Sequence, residues 1–169
     1  YIRNCPQKYD AIILDLFRGE ECPGHCFSRE AIAEIRAHLN PGGMLLINGN
    51  GFISGKQGAG MRAVCQTLKA SGMQVCLGAT NTTEDWRNLV FVAVDQDAVR
   101  LTALKAMFRI SARPVMEPDS VCSSRDPVLT DDLQALDQLN ADANRNWRTA
   151  TITYFASEAQ RNRTLPLFQ

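Results

Sequence analysis

The chain has 169 residues, of which 45% are hydrophobic and 21% are charged, and this composition is typical of one globular domain rather than of a disordered or fibrous segment. Its 18 Lys and Arg residues balance 18 Asp and Glu residues, so no broad basic face is available for a nucleic acid. No apolar stretch approaches the roughly 20 residues that span a bilayer, and we expect neither a nucleic-acid partner nor a membrane segment.

The first predicted element is an apolar run at residues 11–17, which contains an Ile-Ile pair. Its length and composition favour a β-strand buried on both faces, as in a parallel sheet. Ser28 is a suitable N-cap for the next helix, and apolar residues recur at helical spacing as far as Leu39. The Asn-Pro-Gly-Gly sequence at residues 40–43 then ends the helix.

Three further strands are predicted at residues 44–47, 73–79 and 89–94. The glycine-rich stretch at residues 48–60 predicts a loop that leads into a helix ending at Gly72. The apolar stripe of that helix consists of Met61, Val64, Cys65 and Leu68. Strands that alternate with helices, followed by one short connection, predict an α/β fold with a doubly wound, mostly parallel Rossmann-like sheet that ends in an antiparallel hairpin.

The last third of the chain begins with a predicted helix at residues 97–110. Residues 111–127 contain three prolines and several serines, which predict an extended crossing loop. Thr130 precedes two aspartates and is placed to cap a polar helix at residues 131–146. The Arg- and Gln-rich tail after Tyr154 is expected to be loose.

Six cysteines without a signal-peptide pattern indicate reduced thiols and a cytoplasmic location. Cys65 and Cys76 fall in apolar periodic segments and are expected to be small core residues. Cys22, His25 and Cys26 form a cluster, CPGHC, but a structural zinc site needs four ligands and no second pair has matching spacing. We therefore expect no metal, and a reactive thiol here would need a lowered pKa.

Asp15 comes directly after the first apolar strand. In open α/β sheets, ligands bind beyond the carboxyl ends of the parallel strands, so this carboxylate is a candidate functional group. The alternative is a structural role as a cap for the loop or for the helix near Ser28. The segment GNGFISGKQGAGMR, residues 49–62, also follows a strand and opens a helix, but it matches no phosphate-binding motif and is expected to be a flexible loop.

The segment YDAIILDLFRGEECPGHCFSREAIAEIRAHLNPGGMLLING, residues 9–49, resembles the spermidine synthase-like branch of the class I S-adenosylmethionine-dependent, Rossmann-like fold. The shared pattern is Tyr-Asp-x-Ile-hydrophobic-x-Asp, a loop with a second acid and a proline, a helix, and Leu-x-Pro-Gly-Gly before the next strand. The resemblance continues through the hairpin near residues 85–88 and the segment VLTDDLQAL at residues 128–136.

The resemblance implies a transferase of polyamine biosynthesis that moves an aminopropyl group from decarboxylated S-adenosylmethionine to an amine acceptor. It implies that Asp15 removes a proton from the attacking amine, which is protonated at neutral pH because its pKa is about 10. Asp15 and Leu16 would border the donor, and Glu20, with Glu21 as the alternative, would hold the acceptor. This sequence departs from the family at the second acid, because Arg18 lies between the two acids and would repel a polyamine.

The resemblance also implies that the chain is the C-terminal half of a longer fold. Residues 1–110 would form the C-terminal half of the transferase domain, and residues 111–169 would add the crossing loop, the polar helix and the tail. We expect this segment to be inactive alone, and we expect a homo-oligomer, such as a dimer, to cover the unpaired strand at residues 11–17. Two alternatives are a methyltransferase that uses S-adenosylmethionine itself and a non-catalytic oligomerisation or binding module.

Overall fold

The computed structural model describes residues 2–17, 22–80, 87–95, 98–110 and 114–161. The strands are β1 (Tyr9–Leu14), β2 (Leu39–Gly51), β3 (Gln74–Ala79), β4 (Arg87–Val94) and β5 (Val115–Met116). The α-helices are α1 (Arg29–Ala37), α2 (Ala59–Ala70), α3 (Ala98–Ile110), α4 (Pro118–Val121) and α5 (Leu136–Arg161), with short 3-10 helices at Ile2–Asn4 and Gly24–Phe27. The α/β class is confirmed.

The five strands form one mixed sheet in the order β1-β2-β4-β3-β5. Only β1 and β2 pair in parallel, and the β2–β4, β3–β4 and β3–β5 pairs are antiparallel. The predicted antiparallel hairpin is confirmed, but the prediction of a mostly parallel sheet is wrong. Strands β1, β2 and β3 run in the same direction. Strand β4 runs opposite to them and lies between β2 and β3, so β2 and β3 do not pair in parallel.

Strand β1 is the edge of the sheet among the described strands. Ala11 is exposed, and Ile13 is 65% exposed, so the prediction of burial on both faces is wrong. Ile12 and Leu14, on the other face of the strand, pack against the main core. Burial in the core therefore explains the apolar residues on only one face of this strand. The strand ends at Leu14, earlier than the predicted Phe17. Which molecule covers the edge, and hence the oligomeric state, stays a prediction.

The sheet separates two hydrophobic cores. The main core gathers residues of α1, α2 and α5 against one face, where Leu45 and Ile47 of β2 are buried. A smaller core on the other face packs α3, through Leu101, against Cys76 and Val92. The buried positions of α2 include all four predicted stripe residues, and Cys65 and Cys76 are buried as predicted.

Local signals located the start of α1 and the end of α2. The Ser28 hydroxyl accepts a hydrogen bond from the Ala31 N–H at 3.1 Å, which confirms the predicted N-cap of α1. Gly72 follows α2 with a φ of 76°, a left-handed conformation that glycine adopts without a steric penalty. Strand β2 differs from the prediction because it runs from Leu39 to Gly51 and takes in residues 48–51 of the expected glycine-rich loop.

The C-terminal segment is more regular than predicted. Residues 131–135 are not helical, so the prediction of a helix start at Asp131 is wrong, and α5 begins at Leu136. The Asp131 carboxylate instead accepts a 2.6 Å hydrogen bond from the hydroxyl of Ser28, the N-cap of α1. Helix α5 continues past Tyr154 to Arg161, and the expected crossing loop contains β5 and α4. The boundary at residue 110 stays a prediction.

Helix α5 packs against α2 at a close crossing. A Cβ atom on Gly60 of α2 would lie 1.9 Å from the Asn140 side-chain oxygen of α5, so a larger residue here would force the Asn140 side chain or the helices to shift. Leu136 and Ala143 of α5 are also buried. Although α5 has 26 residues, no helix in the described part of the chain has both the length and the apolarity to cross a membrane.

Two buried polar contacts attach the segment before α5 to α2. Thr67 donates to the Ala63 carbonyl at 2.7 Å and accepts from the Leu129 N–H at 2.9 Å, and all of these groups are buried. The Arg62 guanidinium donates to Asp126 at 2.9 Å and to the carbonyls of Ile53 and Gly55. The same guanidinium therefore holds both the loop before α2 and the turn near Asp126.

We predict that Thr67→Val lowers the free energy of unfolding by roughly 1 to 3 kcal/mol, because it leaves the buried Leu129 N–H without an acceptor. The measurement is urea unfolding followed by circular dichroism. Thr153→Val is the matched control, since Thr153 makes the same bond to a carbonyl one turn earlier but is exposed. Equal losses in the two variants would show that the bond to Leu129 contributes nothing.

A second prediction concerns pH. Burial alone would raise the pKa of Asp126, but hydrogen bonds from Ser123 and the charge of Arg62 outweigh it, so its pKa lies below the ordinary aspartate value. A lowered folded-state pKa adds stability above the unfolded-state pKa of about 3.9 and loses it as pH falls through the folded value. The stability difference between wild type and Asp126→Asn should therefore shrink from pH 7 to pH 3. Asp142→Asn, at the exposed Lys56–Asp142 pair, should change stability little at either pH. A difference for Asp126→Asn that stays constant with pH would contradict this assignment.

Candidate functional site

The candidate site lies at the sheet edge where the carboxyl ends of β1 and β2 meet. Asp15 is the first residue after β1, and its side chain is exposed. Because β1 and β2 are parallel and in register, Leu14 pairs with Ile47 and the next residues of the two strands lie side by side. Asn48 accordingly donates a hydrogen bond from its side-chain amide to the Asp15 carboxylate at 3.0 Å.

A second amide of β2 lies on the same face of the sheet. Ile47 and Gly49 face the main core, so the alternation of the strand places Asn48 and Asn50 on the opposite face. The side-chain oxygens of Asn48 and Asn50 are buried and have no hydrogen-bond partner among the described residues. Buried polar atoms are rarely left without a partner, so these two oxygens point to a donor that the described residues do not provide.

The arrangement combines one carboxylate with two amide oxygens that can only accept hydrogen bonds. Such a group of acceptors favours a ligand that carries N–H donors or a positive charge, and an ammonium group provides both. The Asn48 bond also restricts the orientation of the Asp15 carboxylate, and its second oxygen has no hydrogen-bond partner among the described residues. The acceptor chemistry of the site therefore suits an N–H donor, and its carboxylate is a group that can accept a proton.

The predicted site residues do not all lie at the same place in the structure. Asp15 lies at the site, whereas Leu16 is half-buried and lines a groove on the helix-covered side of the sheet. Glu20 and Glu21 lie outside the described residues, so their assignment to the acceptor stays a prediction. Sequence reasoning missed Asn48 and Asn50, although two amides in INGNG at the end of a buried strand were a usable signal.

The CPGHC cluster does not have the chemistry of a reactive thiol. Burial, reinforced by the charge of Asp137, raises the pKa of Cys22 to about 11. Burial also raises the pKa of Cys26. Within the described ranges, no three His, Cys, Asp or Glu side chains converge as they would around a metal ion. Cys22 is a buried part of the main core.

Comparison with known proteins gives one partial match. The chain is 34% identical over 79 residues to a protein of Bifidobacterium longum (strain NCC 2705) named "Probable polyamine aminopropyl transferase". The match covers 45% of this chain and 18% of that protein, so the chain spans much less than the length of this relative. No protein-family model matches the chain. The match supports a spermidine synthase-like relationship.

We predict that Cys22 reacts slowly with iodoacetamide in the folded protein. A rise of the pKa from 9.0 to about 11 lowers the thiolate fraction at pH 8 about a hundredfold, and only the thiolate reacts. Peptide mass spectrometry after timed alkylation measures the rate, and the same protein in guanidinium chloride is the control. A folded-state rate equal to the unfolded one would mean that Cys22 is accessible and ionised.

Proposed function

We propose that this chain forms the acceptor side of a spermidine synthase-like transferase, which moves an aminopropyl group from decarboxylated S-adenosylmethionine to an amine. The carboxylate of Asp15, held by Asn48 at the carboxyl end of β1, is the observation that carries the proposal. The Bifidobacterium longum relative, whose name specifies polyamine aminopropyl transfer, supports the same class of reaction.

Asp15 is the general base in this proposal. The acceptor amine enters as an ammonium ion and becomes nucleophilic only after it loses a proton. One oxygen of Asp15 is held by Asn48, and the other takes the proton. The amine nitrogen then forms a bond to the methylene carbon next to the sulfonium of the donor, and the carbon–sulfur bond breaks with its electron pair leaving on sulfur as a neutral thioether.

The two asparagines assist Asp15 by binding the acceptor. Asn48 and Asn50 each present a buried carbonyl oxygen without a partner among the described residues, and an ammonium group has three N–H donors to offer. Burial makes such charge-assisted hydrogen bonds stronger than they are in water. By the family resemblance Asp15 would border the donor and Glu20 or Glu21 would hold the far end of the acceptor, whereas Leu16 faces the helix-covered side of the sheet.

The test uses the full-length protein that contains this chain. We expect Asp15→Asn to lower kcat by roughly two to four powers of ten, the usual contribution of a general base. Asp10→Asn is a closely matched control, because Asp10 is exposed on the same strand and accepts a 2.9 Å bond from Asn40, just as Asp15 accepts one from Asn48. Activity is measured with decarboxylated S-adenosylmethionine and, separately, with S-adenosylmethionine, against a set of diamines and polyamines.

Three results would contradict the proposal. Near-normal turnover of Asp15→Asn would exclude Asp15 as the base and leave it a structural role. Equal losses in Asp15→Asn and Asp10→Asn would indicate a general effect on the strand. Methyl transfer from S-adenosylmethionine without aminopropyl transfer would keep the fold class but change the reaction. Because Asp15 is exposed, its substitution should change the free energy of unfolding by less than about 0.5 kcal/mol.

A further inference from the structure

Helix α2 is bound at two levels to the segment that contains α4. Near the start of α2, the Arg62 guanidinium bonds to Asp126 at 2.9 Å. Two helical turns later, Lys69 forms an ion pair with Asp119 at 2.6 Å. The two aspartates follow each other in the opposite order, so the segment at residues 119–126 runs antiparallel to α2 and is held against it at both ends.

Two buried thiols face each other between these contacts. Cys65 of α2 is completely buried, and Cys122, the residue after α4, is 4% exposed. The Cys65 thiol donates a hydrogen bond to the sulfur of Cys122, which also lies 3.9 Å from the side-chain oxygen of Gln66. Both cysteines are free thiols. Because the flanking ion pairs hold both backbones in place, the two sulfurs stay in contact, which is the proximity that a disulfide bond requires.

The surroundings make Cys122 the more easily ionised of the two thiols. The hydrogen bond from Cys65 lowers the pKa of Cys122, burial raises it, and the charge of Lys69 lowers it again, with a net fall below the ordinary value. The pKa of Cys65 is raised, because its proton is held by Cys122 and because it is buried. In contrast, burial raises the pKa of Cys22 and of Cys76 to about 11. Since only a thiolate attacks a peroxide, Cys122 is the attacking sulfur of the pair.

We propose that Cys65 and Cys122 form an oxidation site, at which a small hydroperoxide produces a disulfide bond that fixes the α4 segment to α2. The Cys122 thiolate attacks one oxygen of hydrogen peroxide, the O–O bond breaks, and the departing hydroxide takes up a proton to become water. The Cys65 thiol then attacks the sulfenic sulfur, so that the S–S bond forms and the S–O bond breaks. The second hydroxyl leaves with the thiol proton as water. Hydrogen peroxide suits this pair because it is little larger than water and the thiols are almost fully buried. The site does not depend on the reaction proposed for Asp15.

The site is tested by treatment of the protein with hydrogen peroxide, followed by peptide mapping without reduction. We expect the peptides of Cys65 and Cys122 to become linked, and dithiothreitol to separate them again. Cys22 and Cys76 should stay free thiols, because their raised pKa values keep them protonated. The linked protein should run as a single chain on a denaturing gel without reductant. Its unfolding temperature should rise by roughly 5 to 15 °C, because the bond restricts the unfolded chain.

Substitutions assign the separate roles. Cys65→Ala should stop the reaction at the sulfenic acid of Cys122, which dimedone traps as a stable thioether. Lys69→Gln should slow the formation of the link roughly two- to fivefold, as expected for the loss of one charge that favours the thiolate. Lys56→Gln is the matched control, since it also removes a lysine from an ion pair with an aspartate, Asp142, but should leave the rate unchanged.

The other thiols of the chain make the test decisive. Cys5 and Cys26 are only half-buried and report that the peroxide has reacted. If they are oxidised while Cys65 and Cys122 remain free thiols, the proposal is wrong. A link between two chains, or a linked protein with an unchanged unfolding temperature, would equally overturn it. A failure of this site leaves the Asp15 proposal intact, since that proposal is decided by kcat of Asp15→Asn.

Discussion

The alternation of side chains along β2 decides where the core ends and where the candidate site begins. This strand pairs with β1 on one side and with β4 on the other. Its residues Leu45 and Ile47 enter the main core, and the next residues in the alternation, Asn48 and Asn50, are thereby directed to the opposite face. A shift of one residue in the pairing with β1 would turn the amides toward the main core and remove Asn48 from Asp15.

The interactions that stabilise the fold and those that form the site lie on different faces of the sheet. The buried bonds of Thr67 and Arg62 tie the C-terminal segment to α2 on the helix-rich face. The carboxylate of Asp15, its partner Asn48 and the neighbouring Asn50 lie across the sheet from them. Because the two sets share no atoms, the polar groups of the site can be exposed or unpaired without loss of the core contacts.

The edge position of β1 connects the site, the groove and the exposed Ile13. On one side of β1 are Leu14 and the groove, on the other is Asp15 with Asn48, and the outer edge has no partner among the described strands. An apolar strand in this position leaves backbone groups and side chains that another polypeptide can cover. Whether another polypeptide covers this edge stays a prediction.

Local patterns in the sequence determined much of the structure: four of the five strands, the three predicted helices up to residue 110, the Ser28 cap, the Gly72 stop and the position of Asp15 after β1. These features depend on neighbouring residues, and periodicity or a single cap residue is enough to specify them.

Strand order, by contrast, was decided by tertiary packing. The insertion of β4 between β2 and β3 joins residues far apart in the chain, and no local pattern carries that information. The same holds for the Asn48–Asp15 bond, which joins residues 33 positions apart, and for Asp131, whose local sequence favours a helix start but whose carboxylate is held by Ser28 of α1. The sequence by itself therefore placed a carboxylate at the end of a strand, and only the register of the sheet gave that carboxylate its partner, Asn48.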